Sequence, residues 1–167
     1  MIGIGLPIIY PSFNTGDAPV APTKQVLYES DFTSDVDGWT DVQGLGGLSS
    51  GETSNSGLTD TLEYVSAAPF PGSRFIRLDL SSLTIPATAT DYTVKFSFEG
   101  IIPIRVKAKF DFVSGTSTDI VLANTASTYE DTITATNPTL LDIEFISSDS
   151  NYTETAFFKN IELFYYA

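Results

Sequence analysis

The stretch Asp91–Phe112, DYTVKFSFEGIIPIRVKAKFDF, decides the fold. In Tyr92–Glu99 the apolar residues Tyr92, Val94, Phe96 and Phe98 alternate with Thr93, Lys95, Ser97 and Glu99. In Ile104–Phe112 the residues Ile104, Val106, Ala108, Phe110 and Phe112 alternate with Arg105, Lys107, Lys109 and Asp111. Successive side chains on a strand point to opposite faces, so a strict period of two predicts strands with one buried and one wet face. The link Gly100–Pro103 is short, and a hairpin is expected. Lys95, Arg105, Lys107 and Lys109 then share the outward surface of two adjacent strands.

The same pattern continues on both sides. Upstream, Gln25–Phe32 opens the body, Ser34–Gly38 is an Asp/Ser/Gly turn, and Trp39–Val42 follows. Gly44–Gly57 is rich in Gly, Ser and Asn and reads as a mobile loop. Asp60–Ser66 and Arg74–Leu80 are strands separated by a turn at Pro69–Gly72. Downstream, Asp119–Ala123, Asp131–Ala135, Leu140–Ser147 and Thr155–Tyr166 complete about nine or ten strands. No segment sustains a 3.6-residue apolar period. The expected class is all-β, an antiparallel jelly-roll β-sandwich over residues 25–167.

Residues 1–24 read differently. Pro7, Pro11, Pro19 and Pro22, with Gly3, Gly5 and Gly16, make the segment extended rather than helical. Its apolar side chains Ile2, Ile4, Leu6, Ile8, Ile9, Tyr10 and Phe13 need a surface to bury against, so it is expected to be an assembly arm. The first basic residue is Lys24 and Pro7 interrupts the apolar run, so neither a secretory leader nor a membrane span is expected.

Composition narrows the chemistry. The 167 residues are 42% hydrophobic and 13% aromatic, enough for one sizeable core. There is no histidine and no cysteine, which excludes Ser-His-Asp and Cys-His nucleophilic sites, imidazole or thiolate metal sites, and disulfides. The net charge of −13 disfavours nucleic acid and anionic membranes as partners. Hydrolysis would need a carboxylate pair with one raised pKa, and no acid stands out. No cofactor and no metal are expected.

Three segments resemble the jelly-roll carbohydrate-binding modules of the xylan- and glucan-binding group. They are DFTSDVDGW (Asp31–Trp39), DYTVKFSFEG (Asp91–Gly100) and FFKNIELFYY (Phe157–Tyr166). The resemblance runs from about Gln25 to Tyr166 and implies the sandwich. Many members carry a structural Ca²⁺ held by an acid after the first-strand Phe and by an Asp of the last strand. Here Thr33 and Lys159 fall at those places, so that site is expected to be absent, with Lys159 paired to Asp31 or Asp35. The start MIGIGLPII resembles those of phage virion proteins.

Each candidate has a plain and a functional reading. Trp39 could stack on a sugar, but its size favours the core. Tyr64, Tyr92, Tyr129 and Tyr152 are further platform candidates. Lys95, Arg105, Lys107 and Lys109 form either a cationic stripe for an acidic glycan or partner, or cross-strand pairs with Asp111, Asp142, Glu144 or Glu162. Asn151-Tyr152-Thr153 fits a glycosylation sequon by chance. The expected function is a non-catalytic virion component: a head fibre, capsid decoration or tail appendage, located in the virion. Its arm would grip other virion proteins or copies of itself, and its body would bind cell-surface polysaccharide. The alternative is a glycan-binding module of an extracellular carbohydrate-active protein.

Overall fold

The computed structural model describes residues 20–67, 72–119, 121–147 and 155–167. Two antiparallel sheets face each other in a jelly-roll sandwich. The first holds β1 (Lys24–Ser30), β3 (Gly46–Glu52), β4 (Thr61–Ser66), β6 (Asp91–Gly100), β9 (Ser127–Thr134) and β11 (Thr155–Tyr166). The second holds β2 (Thr40–Asp41), β5 (Ser73–Asp79), β7 (Ile104–Phe110), β8 (Val113–Ser114) and β10 (Leu140–Ser147), in the order β2-β5-β10-β7-β8. The arm residues Ile2, Ile4, Leu6, Ile8, Ile9, Tyr10 and Phe13, the Pro69 turn and the Asn151 sequon lie outside the described residues.

β11 occupies the middle of the six-stranded sheet. It pairs with β6 on one side, and with β4 and then β1 on the other. A bulge between Lys159 and Glu162, with Asn160 at φ 51°, resets its phase. Ala156 and Phe158 face the core before the bulge, and Ile161 and Leu163 after it. The inserted residue lets both halves of FFKNIELF bury their apolar side chains, which a regular period of two would not.

The inner faces meet through rings. Tyr64 packs edge-on against Phe145 at 4.9 Å, and Phe145 against Phe158 at 5.5 Å. Phe96 stacks on Tyr129 at 4.8 Å, and the Tyr129 hydroxyl accepts a hydrogen bond from the backbone N–H of Ala108 at 3.1 Å. That bond ties β9 of one sheet to β7 of the other. Trp39 is core, 1% exposed; its indole N–H donates to Tyr28 Oη at 3.0 Å, and Tyr28 Oη donates to the Asp37 carbonyl at 2.8 Å.

The structure corrects four expectations. Tyr92–Glu99 and Ile104–Phe112 do not form a hairpin: β6 pairs with β11 and β9, β7 with β10 and β8. The link crosses between sheets at Gly100, where a Cβ would lie 2.6 Å from the Ile102 carbonyl oxygen, so a glycine makes the corner. Gly44–Gly57 is not a mobile loop but contains β3, paired with β4. Backbone bonds need no side chains, and Gly46 lies directly under the Tyr64 ring, 2.5 Å from where a Cβ would be. Among the described residues of Asp119–Ala123 no strand is formed: Gly115, Thr118 and Val121 donate in turn to Ala108, Val106 and Ile104 along the edge of β7, leaving one isolated bridge at Val121. Finally, β7 ends at Phe110, and Phe112 belongs to the turn that follows.

Candidate functional site

The outer face of the five-stranded sheet is an ordered lattice of side chains. The register places Arg77, Asp142 and Lys109 in one row across β5, β10 and β7. Phe75, Glu144 and Lys107 form the next row, and Ser73, Ile146 and Arg105 the third. A basic strand and a mixed strand thus flank a central acidic one. Arg77 meets Asp142 in two parallel bonds of 2.6 and 2.7 Å, the bidentate geometry that suits a guanidinium and a carboxylate. That hydrogen bonding raises the pKa of Arg77. Glu144 Oε2 takes both Lys109 Nζ at 2.5 Å and Lys107 Nζ at 3.0 Å. Burial pushes the Glu144 carboxyl up, but hydrogen bonds from Lys109, Ser73 and Lys107 outweigh it and hold the carboxyl below its ordinary value. Lys109 Nζ also lies 5.0 Å from the centre of the Phe75 ring.

A cleft of about 200 Å³ opens over the first two rows, lined by Val42, Phe75, Arg77, Lys109, Phe112 and Asp142. Phe112 dominates it, with 88% of its surface exposed. Asp111 and Phe112 form the two-residue turn between β7 and β8, closed by the pair Phe110↔Val113, with φ of 42° and 77°. Such a turn favours Asn or Asp followed by Gly. The Asp is present and anchored: its carboxylate accepts from Thr139 N–H and Oγ1, both at 2.8 Å, and from Leu140 N–H at 3.1 Å. A phenylalanine in the glycine position is strained and solvated at once. Strain of this kind collects at functional sites.

A ring held in water beside fixed donors and acceptors suits a ligand with both a hydrophobic face and hydroxyl groups. Asp142 is the carboxylate among the lining residues of the cleft. In the neighbouring row, Glu144 is held below its ordinary pKa, the reverse of what a glycosidase acid needs.

The four expected cations are divided between opposite faces. Arg105, Lys107 and Lys109 lie on the lattice, while Lys95 is on β6 and pairs with Glu130 of β9 at 2.6 Å. The plain reading, cross-strand pairing, describes Lys107 and Lys109 with Glu144, and Lys95 with a different acid from those expected. Around Lys95, where β11 bulges, there is a hollow of about 360 Å³ lined by Glu29, Lys95, Phe96, Ser97, Thr128, Asn160 and Glu162. It is larger than the cleft, but its one ring, Phe96, is turned into the core. Tyr64, Tyr92 and Tyr129 are buried and present no platform, and Tyr152 lies outside the described residues. Lys159 Nζ donates to the Thr59 carbonyl. Asp31 is held below its ordinary pKa by hydrogen bonds from the backbone and hydroxyl of Thr33, with a weaker pull from the Lys159 charge.

The period-two reading concealed Phe112, because its position continued the inward phase of Phe110. Phe75 left a visible trace: in RFIRLDL, Ile76, Leu78 and Leu80 set the inward phase, so Phe75 is an aromatic on the outward one.

No protein-family model and no curated protein matches the sequence. Solved structures do. The CBM22-1 xylan-binding domain of Paenibacillus barcinonensis Xyn10C matches with a TM-score of 0.60 and 9% identity over 86% of this chain and 96% of that one. The CBM22-1–GH10 modules of Clostridium thermocellum endo-1,4-β-D-xylanase 10B, solved with xylohexaose, match with a TM-score of 0.62 and 9% identity over 83% of this chain and 28% of that one. A family 29 carbohydrate-binding module matches with a TM-score of 0.53 and 11% identity over 87% and 90%. At these identities the likeness shows the fold alone, a β-sandwich that this chain shares with those modules.

Proposed function

We propose that the protein is a non-catalytic glycan-binding module that holds polysaccharide on the outer face of its five-stranded sheet. Phe112 carries the reading: a strained aromatic, almost fully exposed, beside an apolar cleft over fixed ion pairs. Phe112 stacks on a sugar face, Phe75 and Val42 form the apolar floor, and Arg77, Asp142 and Lys109 offer donors and acceptors to hydroxyls. The structural likenesses support it, since one similar domain is named as xylan-binding and another was solved with xylohexaose. An extracellular setting goes with this reading. The virion reading rests on the arm, and nothing in the likenesses supports it; the order expected from sequence is reversed.

The test is affinity electrophoresis of the full chain through gels containing a panel of polysaccharides. At least one should retard the wild type, and Phe112→Ala should migrate freely while retaining its unfolding temperature. If no polysaccharide retards the protein, or the folded variant is retarded equally, the proposal fails.

A further inference from the structure

Resting on the glycan reading, we infer that the ligand is an acidic polysaccharide, and that Arg105 receives a carboxylate borne on the chain whose sugar stacks on Phe112. Charge is unequally distributed over this face. The lattice holds four of the eight basic residues of a chain whose net charge is −13. Arg77, Arg105, Lys107 and Lys109 face only Asp142 and Glu144 within its three rows. Arg77 takes Asp142 in both oxygens, and the two lysines share a single oxygen of Glu144.

The surplus is not uniform. At the turn end, Asp79 and Asp111 stand beside the Arg77 row, and the Asp111 charge reaches Arg77. At the other end, Arg105 is exposed, opposite the neutral Ile146 and Ser73. No ion pair or hydrogen bond reaches it from the described residues. Among the described residues the face therefore runs from balanced charge beneath the aromatic to a guanidinium without an ion pair at its far end, where the segment bonded along the edge of β7 carries Asp119. Arg105 and Lys109 are four residues apart on β7, so these ends are about 13 Å apart. A short oligosaccharide spans that length; a single sugar does not. A guanidinium with its fork free is suited to a carboxylate, which it can take in two parallel bonds. At physiological salt, charges more than about 8 Å away are largely screened, so the groups nearest the guanidinium weigh most in recognition.

The experiment is calorimetric titration of the full chain with matched pairs of glycans, each neutral chain beside its uronate-bearing counterpart, xylan with glucuronoxylan among them. The wild type should favour the acidic member by about three- to fivefold, the worth of one partly exposed charged pair. Arg105→Gln should bring that ratio below about two. Arg105→Lys should restore part of it. If wild type binds neutral glycans as tightly as acidic ones, the inference fails and the glycan reading stands. The same holds if the acidic preference survives Arg105→Gln. If neither member of any pair binds, the glycan reading itself fails.

Discussion

Replacing Phe112 with glycine should make the protein more stable and less able to bind. A non-glycine residue in the left-handed region costs about 1–2 kcal/mol. With φ at 77° and the pair Asp-Gly favoured in this turn, Phe112→Gly recovers that cost. The added freedom of the unfolded chain takes back about 0.4–1 kcal/mol. Little burial is lost, because the ring is 88% exposed. The net gain is about 0.8 kcal/mol, which for a domain of this size raises the unfolding temperature by about 2–3 °C. Binding moves the other way: loss of a central aromatic costs about 2 kcal/mol, a weakening of roughly 30-fold. Calorimetric unfolding and polysaccharide titration on the same preparation measure both. A variant destabilised by more than about 1 kcal/mol would mean that the ring packs on the body rather than standing in solvent. A stabilised variant that binds normally would refute the link between strain and function.

Three other perturbations probe the frame. Tyr129→Phe leaves the Ala108 N–H without its acceptor and should cost about 1–3 kcal/mol in urea unfolding. Burial, aided by the Asp131 charge, raises the Tyr129 phenol to about 12 from an ordinary 10. Its contribution is thus intact below pH 10 and is lost as pH climbs towards 12, by at most about 2.7 kcal/mol. The wild type should lose stability over that interval more steeply than Tyr129→Phe, and equal slopes would argue against a buried neutral phenol. Glu144→Gln strands two ammonium groups and should cost about 1–3 kcal/mol by thermal melt at pH 7. Since the native carboxyl sits below its ordinary 4.5, the difference between wild type and variant should be complete above that value and fade as pH falls through the native one. Gly46→Ala drives a methyl into the buried Tyr64 ring and should cost about 1–3 kcal/mol in the same melt.

The sandwich was legible because most strands bury one face, and burial writes itself as alternation. β11 was read at its observed limits from composition alone, since Phe, Ile, Leu and Tyr dominate both halves whatever the phase. β3 was not, because GGLSSGE contributes backbone rather than side chains to its sheet. The pairing of β6 was misread because alternation reports which face is buried and not which strand lies alongside. The site suffered most. Phe112 had the right residue type in the right phase for a core position, and only the turn at Asp111 turns it outward. The charged rows could be drawn only once β10 was known to run between β5 and β7.

The place of β11 bears on how the chain comes into being. Of the eleven strands among the described residues it comes last in chain order, yet β1, β4 and β6 all depend on it for hydrogen bonds. The five-stranded sheet has all its members in hand once Ser147 has emerged, while the six-stranded one still lacks its middle. Until Tyr166 is free, the Phe and Val side chains of β6 have no completed sheet to belong to. Closure must join segments as far apart as Lys24 and Tyr166, which makes for slow folding and a long exposure of apolar surface during synthesis. The acidic body, with its net charge of −13, is suited to surviving that interval, since like-charged half-made chains repel one another.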